Sequence, residues 1–515
     1  MPDGPTRVLV LGLDGGTFDL LDPWFAAGEL PFLRSMASRG LSARLTSVYP
    51  AKTIPAWYSF ATGLDPGSLG VFGFTAPDGG PGRSRIVQTF RPAEAVWDTL
   101  SRRGRRVGIV NFPLRSSYPV NGVFLPGMLT ERPDTHPAGL RAELEEELGE
   151  PIGAELPPFR DAERSGWMSQ AVHLVEQRGR IGELLSRHPS PEFLFVLFRE
   201  TDRVQHQLWS ELVRGPEHAA GDLCAFWRAL DEACGRIDRA FREAGGPAVT
   251  LVVSDHGHGA ARSDFFTNRW LEEQGYLHFR GNGGIRRRVA SRVLVAIDRY
   301  DSLRRPLRAL VDRLGGSRPA SRMGSLLTGN ASFEAMASRI DWDKTVAFSY
   351  PIPEGIYLNR WNRSLSPARR ASLLVEIRER LAAFPSAAVE TFLPSELYHG
   401  RNLSGAPDLL LRVDGLETEL RMDFAYPKPL LSNRPGYFYG CGVHRMDGIL
   451  LASNGHSSPR RLSEPLSLLD IAPTVLELMG VPVPSDRTGR SFAEFLAPPD
   501  GADGPGAPTP PALGP

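Results

Sequence analysis

Cysteine is scarce in this chain. Its 515 residues include three, Cys224, Cys234 and Cys441, spaced neither as an even disulfide framework nor as paired zinc ligands. That excludes a disulfide scaffold and a thiolate metal site, fits a reducing compartment, and leaves His and Asp to hold any metal. Lysine is confined to Lys52, Lys344 and Lys428, every other basic position being Arg, so Lys52 beside a threonine stands out. An excess of either charge is also missing, with 59 Lys and Arg against 59 Asp and Glu. No overall field draws such a chain to nucleic acid or an anionic membrane. No apolar run approaches the roughly 20 residues that span a bilayer, and the N-terminus lacks the charged and apolar regions of a signal peptide. The expectation is a soluble cytoplasmic protein without a transmembrane segment, acting on a small molecule; oligomeric state is not encoded in any pattern seen here.

What the chain does have is a series of short Val/Ile/Leu-rich runs ending in polar residues: 7–14, 105–113, 191–202, 248–258 and 447–453. Continuous apolar runs of this kind predict parallel strands covered on both faces. Helical patterns alternate with them at 93–104, 222–246 and 466–480, which predicts an α/β core. From about 266 to 430 the rhythm breaks, and the segment includes an arginine-rich amphipathic stretch at 286–316. The expected organisation is therefore a core in residues 1–265, an inserted cap in 266–430, a C-terminal part of the core in 431–496, and a disordered Pro/Gly-rich tail in 497–515. The Arg-rich stretch is read first as a solvated face, with an anionic substrate or a membrane surface as alternatives.

Ligands of open α/β sheets bind beyond the carboxyl ends of the strands. Three predicted strands end there on Asp14, on Glu200-Thr201-Asp202 and on Asp255-His256. Asp202 and His206 are four apart and share a face if the chain turns helical, giving half of a divalent metal site. Each has an ordinary structural explanation alone: a helix cap, an exposed pair, a turn. Together they would crowd carboxylates on one rim with no cation to offset their repulsion. A late histidine is needed to complete the set, and His444 and His456 are available.

The stretches GLDGGTFDLLDPW, SVYPAKTIPAW, ETDRVQHQLW, VSDHGHG and GVHRMDGILLASNG, in this order and spacing, resemble the alkaline phosphatase superfamily. The resemblance is closest to the branch containing type I phosphodiesterases, nucleotide pyrophosphatases and a phosphohydrolase or phosphomutase group. It implies an alkaline phosphatase-like core with a mainly parallel sheet flanked by helices, and a nucleophile at Thr53. It further implies two divalent cations, zinc first and manganese as a compatible alternative. One is held by Asp14, Thr53, Asp255 and His256; the other by Asp202, His206 and His444. His444 is preferred to His456 because GVHRMDG supplies the expected context. The chemistry suits such ligands, since a dication lowers the pKa of a hydroxyl enough for it to attack phosphorus.

The pattern implies a phosphoric ester hydrolase of the phosphodiesterase or nucleotide pyrophosphatase type with a covalent phospho-threonine intermediate. A phosphomonoesterase or phosphomutase is the alternative within the superfamily, and an inactive metal-binding scaffold is the alternative outside it. Where the sulfatase branch carries C/S-x-P-x-R this chain reads Thr53-Ile54-Pro55-Ala56-Trp57, with neither a modifiable cysteine nor the arginine, which argues against sulfatase activity. The Asn that nucleotide pyrophosphatases place after the nucleophile is Ala56 here, so another donor must meet the phosphate oxygens. Lys52, the Thr53 N–H and Asn111 are the candidates, against an exposed lysine and a turn asparagine. His258 stands where close relatives have Phe and is read first as a surface loop residue, with a proton shuttle or a partner of a metal ligand as the alternative.

Overall fold

All seven residues of strand β1, Arg7–Leu13, are buried. Its side chains alternate between two cores, Val8 and Val10 entering one and Leu9, Leu11 and Leu13 the other. The computed structural model describes residues 6–81, 83–87, 89–90, 93–127, 134–153, 155–280, 337–350, 355–421, 430–432, 441–455 and 459–496. Around β1 it places β2 (Leu41–Thr46), β3 (Val107–Phe112), β4 (Gly122–Pro126), β5 (Phe193–Phe198), β6 (Ala248–Val253) and β7 (Asp447–Ser453). The sheet runs β2-β7-β6-β1-β5-β3-β4, with short strands Arg460–Arg461 and Leu466–Ser467 on the far side of β2. From β6 to β4 every neighbour is parallel. β7 is antiparallel to both β6 and β2. The expected α/β class and mainly parallel sheet are what the chain adopts.

Helices Arg164–Arg187 and Gly221–Glu243 contribute Leu174, Ile181, Leu230 and Ile237 to the core on one face of the sheet. Helices Thr53–Thr62 and Ile471–Leu478 pack against the other. Burying one Val, Leu or Phe side chain of this kind is worth roughly 1.5–3 kcal/mol, so the two layers hold the strands firmly in register. Because β1, β5 and β6 are parallel, their carboxyl ends open on one rim. β7 runs the other way and begins at that rim, Leu450 lying opposite Val253 at the end of β6. The strand just before it, Gly442–Arg445, arrives at the same place and pairs antiparallel with Gly257–Ala260.

The inserted region builds its own apolar core, in which Trp270, Phe348, Tyr357, Leu373 and Leu411 are buried. A four-stranded antiparallel sheet (Ala347–Phe348, Gly355–Leu358, Leu409–Val413, Val389–Phe392) and helix Pro367–Ala382 supply it. The strand Ser263–Phe266 runs across the expected boundary at residue 266 and pairs with Thr418–Arg421. Tyr49, Phe72, Tyr398, Ala406 and Leu410 form a small cluster joining this region to the loop ahead of Thr53. The Arg-rich stretch 286–316, His456 and the tail 497–515 lie outside the described residues. Among the described residues no helix is long and apolar enough to cross a membrane.

Candidate active site

The rim gathers six of the nine residues singled out as site residues from the sequence: Asp14, Asp202, His206, Asp255, His256 and His444. Asp14 follows β1, Asp255 and His256 follow β6, and Asp202 and His206 sit on helix Glu200–Leu212 directly after β5. That helix is tied to the β1 loop by Thr201 Oγ1, which donates to Asp14 O at 2.6 Å, and by Gln205 Nε2, which donates to Gly15 O at 3.0 Å. The i,i+4 spacing brings His206 Nε2 to 3.4 Å from Asp202 Oδ1. His444 joins them from its own strand, Nε2 lying 3.2 Å from Asp202 Oδ1 and 2.9 Å from His206 Nε2. On the other side, His256 Nε2 lies 3.2 Å from Asp255 Oδ2 and 3.6 Å from Asp14 Oδ1. Two donor groups result, Asp202, His206, His258 and His444 in one and Asp14, Asp202 and His256 in the other, each within 4.8 Å internally.

Each of three imidazoles is oriented from behind. Nδ1 of His206 faces Gly442 O at 2.8 Å, Nδ1 of His444 faces Ala51 O at 2.7 Å, and Nδ1 of His256 faces Gly257 O at 3.2 Å. A carbonyl oxygen only accepts, so the proton is assigned to Nδ1 and the Nε2 lone pair is turned toward the carboxylates. This is the arrangement that fixes a metal-binding histidine. Trp57 Nε1 similarly donates to Asp14 Oδ2 at 3.1 Å, leaving Oδ1 for the cluster. Gly12 leaves room for that indole; a Cβ there would lie 2.8 Å from Trp57 Cη2.

Whether these residues fit a cation can be judged from atoms left without a partner. Asp14 Oδ1, Asp255 Oδ2 and His256 Nε2 are buried and make no hydrogen bond among the described residues. A buried polar group in that state costs roughly 1–3 kcal/mol, and coordination would remove the cost. The electrostatics agree. Burial, then the charge of Asp202, pushes the Asp14 carboxyl well above the ordinary range. Burial, then Asp14, does the same to Asp255. Desolvation opposes ionisation of Asp202 as well, yet His206 and His258 hold it below the usual carboxylate value. Burial is the main cause holding His256, His258 and His444 well below an ordinary imidazole, which keeps them neutral and able to donate a lone pair.

Thr53 is buried and opens helix Thr53–Thr62, with Lys52 at the N-cap and Gly63 closing the helix at φ 65°. At this helix start the Thr53 and Ile54 N–H groups have no acceptor inside the helix, and Pro55 has no N–H. Lys52 is not the exposed lysine that was one of its two readings: its side chain is 11% exposed and Nζ lies 3.4 Å from Glu419 Oε1 of the inserted region. It also lies near enough to His444 to be the second cause of that histidine's lowered pKa. Asn111 makes its hydrogen bond elsewhere. It has φ 63° at an irregular step of β3, and its Nδ2 donates to Leu197 O at 2.8 Å.

His258 is completely buried, not a surface loop residue. It stands opposite His444 in the antiparallel pairing, with ring centroids 5.1 Å apart. The signal was present in the sequence: residues two apart in extended chain face the same side, and His256 and His258 are two apart. Glu419 and the role of Trp57 carried no such signal, because both depend on contacts across long stretches of chain.

A family model described as "Type I phosphodiesterase / nucleotide pyrophosphatase" matches residues 8–317. The human ectonucleotide pyrophosphatase/phosphodiesterase family member 1 is 31% identical over 124 residues, which span 22% of this chain and 13% of that protein. A 2,3-bisphosphoglycerate-independent phosphoglycerate mutase from Laribacter hongkongensis (strain HLHK9) is 47% identical over 53 residues, 10% of each chain. The alignments thus span only about a tenth of the curated relatives' length. Among solved structures, phosphonoacetate hydrolase from Sinorhizobium meliloti 1021, in complex with phosphonoformate, has a TM-score of 0.52 at 15% identity, covering 93% of this chain and 96% of that one. Murine ectonucleotide pyrophosphatase/phosphodiesterase 5, in an inactive form in complex with AMP, has a TM-score of 0.50 at 12% identity with the same coverage. Both share the fold.

Proposed function

Because this chain belongs to the type I phosphodiesterase / nucleotide pyrophosphatase family, we propose that it is a two-metal phosphoric ester hydrolase with Thr53 as its nucleophile. The observation that carries this reading is the common orientation of His206, His256 and His444. Their Nδ1 atoms are tied to backbone carbonyls and their Nε2 atoms turned to Asp14, Asp202 and Asp255. Asp14, Thr53, Asp255 and His256 would hold one cation, and Asp202, His206 and His444 the other. Mixed imidazole and carboxylate donors suit zinc, with manganese compatible. When bound, the cations supply the positive charge that activates a hydroxyl and offsets charge on the phosphoryl oxygens.

The residues of the chain do the rest. The helix N-terminus at Thr53 favours an anion beside the hydroxyl. Thr53 Oγ1 attacks phosphorus and forms a P–O bond as the bond to the leaving alcohol breaks. Water then attacks the phosphorus of the phospho-threonine, and the Thr53 Oγ1–P bond breaks as Oγ1 takes back a proton from that water. The phosphomonoester left from a diester substrate is released. Phosphodiesters and nucleotide-like substrates are the first choice, because the neighbouring cations already have partners: Lys52 is paired with Glu419, and Arg445 donates to Leu416 O and Ala260 O. A monoester, with its extra charge, calls for another cation. The short segment similar to a phosphoglycerate mutase favours a second reading, monoester hydrolysis or phosphoryl transfer.

The test compares bis-p-nitrophenyl phosphate with p-nitrophenyl phosphate and measures bound metal in the purified chain. Faster turnover of the diester, lost in Thr53→Ala while two metal equivalents remain, is the expected result. Faster turnover of the monoester selects the second reading. Bound metal with neither ester hydrolysed points to an inactive scaffold, and a chain that binds no metal ends the enzyme reading.

A further inference from the structure

The proposed ligand set leaves one imidazole of the cluster unused. His258 Nε2 lies 3.9 Å from Asp202 Oδ1, and the His258 ring centroid is 4.6 Å from that of His206 and 5.1 Å from that of His444. One donor atom from each of Asp202, His206, His258 and His444 lies within 4.8 Å of the others. Resting on the two-metal reading, we propose that His258 is a fourth protein ligand of the cation held by Asp202, His206 and His444, making that site three imidazoles and one carboxylate.

Packing alone does not account for an imidazole at this position. The ring is fully buried, and neither nitrogen has a hydrogen-bond partner among the described residues, unlike the three histidines whose Nδ1 faces a carbonyl. A phenylalanine would fill much the same space without two unpartnered polar atoms, whose burial is unfavourable. The surroundings are shaped around this ring. Gly15, at φ 72°, passes so close that a Cβ would lie 2.6 Å from His258 Nδ1. The antiparallel register then sets the ring across from His444. A fourth donor would raise retention of the cation, and a third imidazole would favour zinc over manganese, which prefers oxygen donors.

The experiment titrates zinc into the chelator-stripped full chain and into His258→Phe, which keeps the ring shape, and His258→Gln, which keeps polarity. Zinc-edge X-ray absorption counts the imidazoles. The wild type is expected to bind two equivalents. In either variant one site should weaken by about tenfold or more while the other is unchanged. The imidazole count summed over both zinc ions should fall by one, and discrimination against manganese at the weakened site should narrow. If His258→Phe does not fold, as judged by circular dichroism, His258→Gln decides. Wild-type affinity in the folded variants overturns the proposal and leaves the two-metal reading standing. Weaker binding with an unchanged imidazole count also overturns it, since His258 would then only position other ligands. A wild-type chain that takes up no zinc overturns both.

Discussion

His444 Nδ1 lies 2.7 Å from the carbonyl oxygen of Ala51, so a candidate metal ligand holds the turn two residues before Thr53. The candidate ligand and the segment that carries the proposed nucleophile are therefore tied by one hydrogen bond between positions 393 residues apart. His444→Asn keeps a side-chain N–H able to reach Ala51 O but removes the Nε2 donor; His444→Ala removes both. Each variant should lose one metal equivalent. His444→Ala should in addition be less stable in the metal-free state by about 1–3 kcal/mol, because a buried carbonyl loses its donor. Equal urea midpoints for the two metal-free variants would show that the bond to Ala51 is not holding the turn.

Thr53→Ala should reduce turnover by about 10³-fold or more with two metal equivalents still bound, because the other ligands are untouched. Thr53→Ser, which retains the hydroxyl, should remain within roughly tenfold of the wild type. Steady-state rates on the preferred ester, with metal analysis of the same samples, decide it. If Thr53→Ala kept its activity, water would be the attacking group and the covalent step would be lost.

The sheet and most of this site were legible in the sequence because both follow from local patterns. Runs such as FLFVLF at 193–198 are buried on both faces, so hydrophobicity alone marks them. Parallel order then carries the residues after β1, β5 and β6 to one rim, and Asp202 and His206 needed only helical spacing. His258 was misjudged because its burial comes from pairing with Gly442–Arg445, nearly two hundred residues away. The Lys52–Glu419 pair and the Trp57–Asp14 hydrogen bond were hidden for the same reason. No periodicity encodes which side chains meet when an inserted region folds back onto the loop ahead of Thr53.

Lys52 joins that loop to the inserted region through a largely buried ion pair. Lys52→Met leaves Glu419 without this partner and should lower stability by about 1–3 kcal/mol, less than for a fully buried pair because water still reaches both groups. Glu419→Gln should restore much of that loss in the double variant. Activity should separate the two roles: if Lys52 also meets phosphate oxygens, kcat/KM stays about 10–100-fold low in the double variant. Recovery of both stability and kcat/KM would leave Lys52 a purely structural residue.

Asp14 gives a pH dependence whose sign follows from its surroundings. Burial, and next the charge of Asp202, raises its carboxyl well above the usual range, so the folded metal-free chain keeps a proton that the unfolded chain releases near pH 4. While pH lies between those two values the folded state binds more protons, and stability falls as pH rises. The stabilising contribution of the protonated carboxyl is thus full below about pH 4 and is lost as pH climbs through the folded-state value. Asp14→Asn removes the charge but can still accept from Trp57 Nε1, the donor to Asp14 Oδ2 at 3.1 Å. In chelator the variant should unfold at higher urea than the wild type at pH 8, with a smaller gap at pH 5. Added zinc should reverse the order at pH 8, because only the wild type keeps the full carboxylate set. A variant weaker than the wild type in chelator at pH 8 would mean that Asp14 stabilises the fold on its own account, without waiting for a cation.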